Sequence, residues 1–144
     1  MEMILKMAVR IAEDAHCGQF DKAGNPYIGH PMRVMNNVHS IEEKIVAILH
    51  DVMEDTDVTS DDLRQAGIPD SLISELNVLI RSPNMDYDKY IERISHFSIA
   101  SVVKLADLKD NMDITRLNEI TEKDIERLRI YHRSYVFLKN KQNT

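Results

Sequence analysis

The chain has 144 residues, with 18 Lys+Arg against 24 Asp+Glu and a formal charge of −6. That length suits one domain, expected over 1–144, and 43% hydrophobic with 29% charged residues excludes a disordered chain. A pI near 5.5 argues against a DNA or RNA binder, no apolar run nears the roughly 20 residues that span a bilayer, and the single cysteine, Cys17, excludes an internal disulfide.

The N-terminus, Met1 to Lys6, lacks the basic and long apolar stretches of a leader, so a cytoplasmic protein is expected. Ile4, Met7, Ala8, Ile11, Ala12 and Ala15 recur at helical spacing and predict a helix over 3–16. Three glycines and two prolines crowd into 17–31, an organised loop whose Pro31 suits the first turn of a helix over 31–39. A helix over 41–54 follows, then a short one from a Thr59 cap to about Ala66. Gly67-Ile68-Pro69 stops and restarts the chain, with Asp70 expected to cap a helix through about Ile80. After the break at Ser82-Pro83-Asn84, helices are expected over Asp86–Ser95 and from Ser98 to about Asp113. Thr121 and Asp124 form a capping-box pattern before a helix over about 122–139. Its face of Ile125, Leu128, Tyr131, Tyr135 and Leu138 can be buried within the domain or across a homo-oligomer. No two period-2 runs are joined by a hairpin turn, so the expected fold is all-α, a compact bundle of seven to nine helices.

Two segments carry acids into apolar surroundings. Ile45 to Leu49 is apolar nearly all round and runs into His50-Asp51; Ile99 to Ala106 runs into Asp107. Helices of this kind belong at the centre of a fold, and a carboxylate there must be paired, hydrogen-bonded or bound to metal. Glu54 lies four residues after His50, and Asp55 four after Asp51, so an unbroken helix aligns them on one side. Asn111 sits one turn beyond Asp107. Imidazole with carboxylates and no thiolates suits one divalent ion such as Mn²⁺, Fe²⁺ or Zn²⁺. Asp51, Glu54, Asp55 and Asp107 are therefore expected at one buried site. Taken singly, each fits an ordinary structural role: an acidic helix end for Glu54-Asp55, or pairing of Asp107 with Lys104 or Arg116.

Ala15-His16-Cys17-Gly18-Gln19, followed by Asp21 to Pro31, resembles the opening of the hydrolase domain of RelA/SpoT-type alarmone enzymes, a branch of the HD superfamily. Ile48-Leu49-His50-Asp51-Val52-Met53-Glu54-Asp55-Thr56 is similar to that family's HD motif with its acidic pair, and Val103 to Asp107 with Asn111-Met112 to its last ligand motif. The resemblance covers about 5–116. It implies an all-helical enzyme that uses one Mn²⁺ to remove the 3′-pyrophosphate from guanosine tetra- or pentaphosphate (ppGpp, pppGpp). By position it implies His30, His50, Asp51 and Asp107 as metal ligands, and Glu54 and Asp55 as the acids that position or deprotonate water. It further implies Asn111, Lys22 and Tyr27 as substrate contacts. Two departures stand out: Asp21-Lys22 where the family often has Arg-Lys, and Leu108-Lys109-Asp110-Asn111 where Arg and His are typical. The chain stops where a synthetase domain would begin, so hydrolysis alone is expected, with a small nucleotide as partner. The alternatives are an HD phosphohydrolase for another nucleotide phosphate and a non-catalytic module with a structural metal.

Other residues take quieter roles. His16 is expected to hold the 17–31 loop against the first helix; Tyr90 to pack in the core; Arg93 to form a surface ion pair; and His39, His96 and His132 to face solvent.

Overall fold

The computed structural model describes residues 1–143. Helices follow the apolar periodicity: α1 (Glu2–Ala15), α2 (Gly29–Asn36), α3 (Ile41–Leu49), α4 (Val52–Asp55), α5 (Ser60–Gln65), α6 (Asp70–Val78), α7 (Tyr87–Ile94), α8 (Ser98–Asn111) and α9 (Glu122–Gln142). A 3₁₀ turn, Ile114–Arg116, joins the last two. The fold is all-α, with no strand among the described residues and one isolated antiparallel bridge, Phe20 with Pro26. No helix among them is long and apolar enough to cross a membrane.

Local chemistry sets most boundaries. Thr59 with Asp62 and Thr121 with Asp124 form reciprocal capping boxes, as does Ser40 with Glu43. Gly67 ends α5 at φ +99, a conformation open to glycine, and lets Ile68 N–H donate back to the Leu63 carbonyl. Two expectations are corrected. The helix over 41–54 breaks after Leu49, because the His50 amide reaches only the Ala47 carbonyl and Asp51 turns to φ −102, ψ −5 before α4 begins. Asp70 is the first residue of α6 while Pro69 holds the cap position, and the Asp70 carboxylate accepts from Arg64 Nε at 2.7 Å instead. At the start of α8 the capping acid comes from another helix: Glu75 Oε1 accepts from the Ile99 and Ala100 amides at 2.9 and 3.2 Å.

The core is built round α3 and α8. Ile45, Val46, Ala47, Ile48 and Leu49 are all fully buried, and α3 touches α1, α2, α6 and α8. Burying such side chains stabilises the fold by about 1.5–3 kcal/mol each, which is why the most apolar helix sits at the centre. The α9 face is used within the chain: Leu138 is buried, and Tyr131, Tyr135 and Phe137 pack onto the core beside α7 and α8.

Candidate metal centre and adjoining cavity

The break after α3 exposes a histidine to the interior in a fixed pose. His50 Nδ1–H donates to the Ala47 carbonyl at 2.6 Å, so the ring presents Nε2 to the centre. His30, the second residue of α2, does the same by another route: its Nδ1 lies 2.6 Å from Asp110 Oδ2. Both Nε2 atoms converge on Asp107 Oδ1 from α8, His30 at 2.8 Å and His50 at 3.2 Å. Asp51 Oδ2 lies 3.1 Å from His50 Nε2 and 3.7 Å from His30 Nε2, and it accepts from the Tyr27 hydroxyl at 2.5 Å. Asp107 also accepts from Lys104 Nζ at 2.9 Å and Asn111 Nδ2 at 3.2 Å.

Such packing of charge shifts every proton equilibrium. Burial would raise the Asp107 carboxyl, but the Lys104 charge and the two histidines outweigh it and hold it well below the ordinary value. Asp51 is likewise lowered to about 2, burial being overcome by the neighbouring His50 charge. Burial opposes protonation of His50, yet the Asp51 charge and the hydrogen bond to Asp107 raise it well above a free imidazole. For the Tyr27 hydroxyl, burial and then the Asp51 charge act in the same direction, upward.

His30, His50 and Asp107 bring one ligand atom each within 4.8 Å of one another. With Nδ1 of each ring engaged and Nε2 pointing inward, these residues can hold a divalent metal ion, whose charge would replace the protons now shared with Asp107. The donor set is nitrogen and oxygen, which fits the borderline-hard ions.

A cavity of about 390 Å³ opens beside this centre, with His30, Tyr27 and Asn111 in its wall. Lys22, Arg33, Arg116 and Arg127 line it. Each is tethered by an acid: Lys22 and Arg127 to Asp124 at 3.5 and 2.8 Å, Arg33 and Arg116 to Asp110 at 2.9 and 3.4 Å. Asp110 is thus buried between a histidine and two arginines, with its pKa at about 2 because their hydrogen bonds and charges outweigh burial. No sequence pattern singled it out, since its partners His30 and Arg33 lie 80 and 77 residues away.

Not every expected site residue is gathered. His30, His50, Asp51 and Asp107 meet as expected, and Lys22, Tyr27 and Asn111 line the cavity. Glu54 and Asp55 are exposed, contrary to the single buried site expected, and they lie on α4, which restarts after the turn at His50-Asp51 instead of continuing α3. Glu54 Oε1 accepts from the Arg81 amide at 3.2 Å; partial burial, aided by the Asp51 charge, outweighs that bond's lowering effect and leaves the Glu54 pKa raised. Partial burial and the Asp51 charge raise that of Asp55. Asp21 is occupied by its own loop: its Oδ1 accepts from the Ala23 and Asn25 amides at 3.0 and 2.9 Å. His16 is buried against that loop, Nδ1 2.9 Å from Gln19 Oε1 and its ring 5.0 Å from that of Tyr27. Tyr90 is a core residue donating to the Leu79 carbonyl at 2.6 Å. Arg93 binds the Val78 and Ile80 carbonyls rather than a surface acid, and His39, His96 and His132 are exposed.

Fifty-nine residues of the chain, 38% of it, are 44% identical to a guanosine-3′,5′-bis(diphosphate) 3′-pyrophosphohydrolase of Haemophilus influenzae. Sixty-five residues are 42% identical to the bifunctional (p)ppGpp synthase/hydrolase SpoT of Escherichia coli. The chain resembles RelA/SpoT-type hydrolases. It spans only 9% of the length of either relative. A solved structure described as a metazoan ortholog of SpoT that hydrolyzes ppGpp superposes with a TM-score of 0.78 at 21% identity, over 94% of this chain and 84% of that one, and therefore shares the fold. No family model matches the chain.

Proposed function

We propose that this chain is a single-domain, cytoplasmic, metal-dependent phosphohydrolase that removes the 3′-pyrophosphate from guanosine tetra- or pentaphosphate, with Mn²⁺ as its ion. One observation carries the reading: His30 Nε2, His50 Nε2 and Asp107 Oδ1 converge beside a cavity walled by four cationic side chains. The relatives' names point to the same substrate. His30, His50, Asp51 and Asp107 are the ligands. A divalent ion bound there supplies a lowered pKa to water and screens charge at phosphorus.

The remaining work falls to the chain's own side chains. Glu54 and Asp55, three and four residues beyond Asp51 and with raised pKa values, take the proton from the attacking water. Tyr27 holds Asp51 in place through its hydroxyl, and Asn111 holds Asp107. Lys22, with its side chain 57% exposed, is free to leave Asp124 and meet a phosphate. A different nucleotide phosphate is the second reading, favoured by the negative Asp21 in the cavity wall.

The test is to incubate purified protein and Mn²⁺ with a nucleotide panel and to quantify pyrophosphate and orthophosphate separately. Pyrophosphate from the tetraphosphate, abolished in Asp51→Ala, is the expected result. Orthophosphate from another nucleotide would establish the second reading. Tightly held metal with no turnover would refute both and leave a structural centre.

A further inference from the structure

Phe20 has no part in the chemistry above, yet it stands in the wall of the cavity with 66% of its surface exposed. Aromatic contacts occur elsewhere among the described residues, His16 with Tyr27, Tyr27 with His30, and Tyr87 with Tyr90 and Tyr131, but Phe20 belongs to none of these pairs. An unpaired phenyl ring in water forgoes the burial that normally stabilises a residue of its size.

The ring is nonetheless held on a firm support. The Tyr27 amide donates to the Gln19 carbonyl and the Asp21 amide to the Asn25 carbonyl, both at 2.8 Å, closing a narrow loop across the Phe20–Pro26 bridge. Asp21 Oδ1 ties two more amides inside it. The Gln19 side chain pins the loop to the body, with Oε1 2.9 Å from His16 Nδ1 and Nε2 donating to the Asp55 carbonyl at 3.2 Å. An exposed aromatic on a preorganised loop loses little freedom when something lies on its face.

The other walls say what that something is. Ile114, Leu117, Leu128 and Tyr131 give the cavity apolar lining, and Lys22, Arg33, Arg116 and Arg127 share the wall with Asp21, Asp110, Asp113 and Asp124. Of the four cations Lys22, 57% exposed and 3.5 Å from Asp124, is the one most open to a further anion. The complement is a molecule with a flat apolar face and an anionic tail, and about 390 Å³ is within the size range of small-ligand pockets. Resting on the reading of this cavity as the nucleotide site, we infer that Phe20 is the stacking platform for the purine base, whose phosphates extend to the His30 end. Base–aromatic stacking is worth about 1–3 kcal/mol, or about 5- to 150-fold in affinity.

The sequence contains no tryptophan, so Phe20→Trp installs a sole indole reporter at the platform. Titrating the metal-loaded variant with guanosine diphosphate should quench its emission saturably, whereas inorganic pyrophosphate at the same metal concentration should not. In turnover of the tetraphosphate, Phe20→Ala should raise KM about tenfold with kcat within about twofold, and Phe20→Tyr should restore KM. Emission unmoved by guanosine diphosphate, or moved equally by pyrophosphate, overturns the inference, as does an unchanged KM in Phe20→Ala. Absence of turnover by the unsubstituted protein would refute only the hydrolase reading, because the quench requires binding and no chemistry.

Discussion

The ligand cluster and the cavity rim hold their side chains by different forces. His30, His50 and Asp107 ride on α2, at the end of α3 and on α8, and their positions follow from the burial of Ile45 to Leu49 and its neighbours. On the exposed rim, Phe20 and Lys22 stand on the cavity loop, Lys22 beside Asp124, while Glu54 and Asp55 stand on a four-residue helix outside the cavity wall, tied through the Arg81 amide and Gln19. The centre is over-determined by packing, and the rim is not. Substitution at the centre is therefore expected to disturb fold and chemistry together, and at the rim chemistry alone.

Asp107→Ala is the most severe test of that division. It leaves the buried His30 and His50 and the partly buried Lys104 without their shared acceptor. Removing one partner of a buried ion pair costs about 3–5 kcal/mol. Denaturant unfolding of metal-free protein should show that loss, and calorimetric titration should show no divalent-ion binding. Glu54→Gln and Asp55→Asn should each lower kcat by about 10²–10⁴-fold while the unfolding midpoint stays close to that of the parent. A rim variant that also melted early would erase the contrast.

Asp110→Ala sharpens the comparison from inside the centre. It removes the carboxylate that orients His30, so metal affinity, read by chelator competition, should fall about 10–100-fold. An effect of similar size, confined to alkaline solution, concerns pH. Burial pushes the Tyr90 hydroxyl up to about 12 from the ordinary 10.0 of a tyrosine. Because the folded pKa is the higher, the stabilising contribution is complete below about pH 10 and is lost as pH rises to about 12, a change of about 2–3 kcal/mol. Urea unfolding of the parent should weaken across that window, and Tyr90→Phe should flatten the slope.

The helices were legible because burial repeats with their period: α1, α7 and α9 follow the spacing of Ile4-Ala8-Ile11, Tyr90-Ile94 and Tyr131-Leu138. The ligands were legible because an acid or histidine carried inward by an apolar run must find a partner there, which marks the run as leading to a site. The break at His50-Asp51 was hidden, because nothing in the local composition marks it: no glycine or proline occurs between Pro31 and Gly67. At that break the Ala47 carbonyl accepts from both the His50 amide and the His50 ring.

What the sequence determined by itself was therefore periodic or compositional: an all-α chain, an acidic surface, and two apolar helices that carry His50, Asp51 and Asp107 inward. What the tertiary structure decided was pairing at long range. Asp110 reaches His30 across 80 residues, Glu75 caps α8, Asp21 serves its own loop, and Phe20 is left with an open face over the cavity. Hydrogen bonds and ion pairs depend on where two atoms end up in space, and residue spacing along the chain fixes that only within one turn of helix or one tight loop.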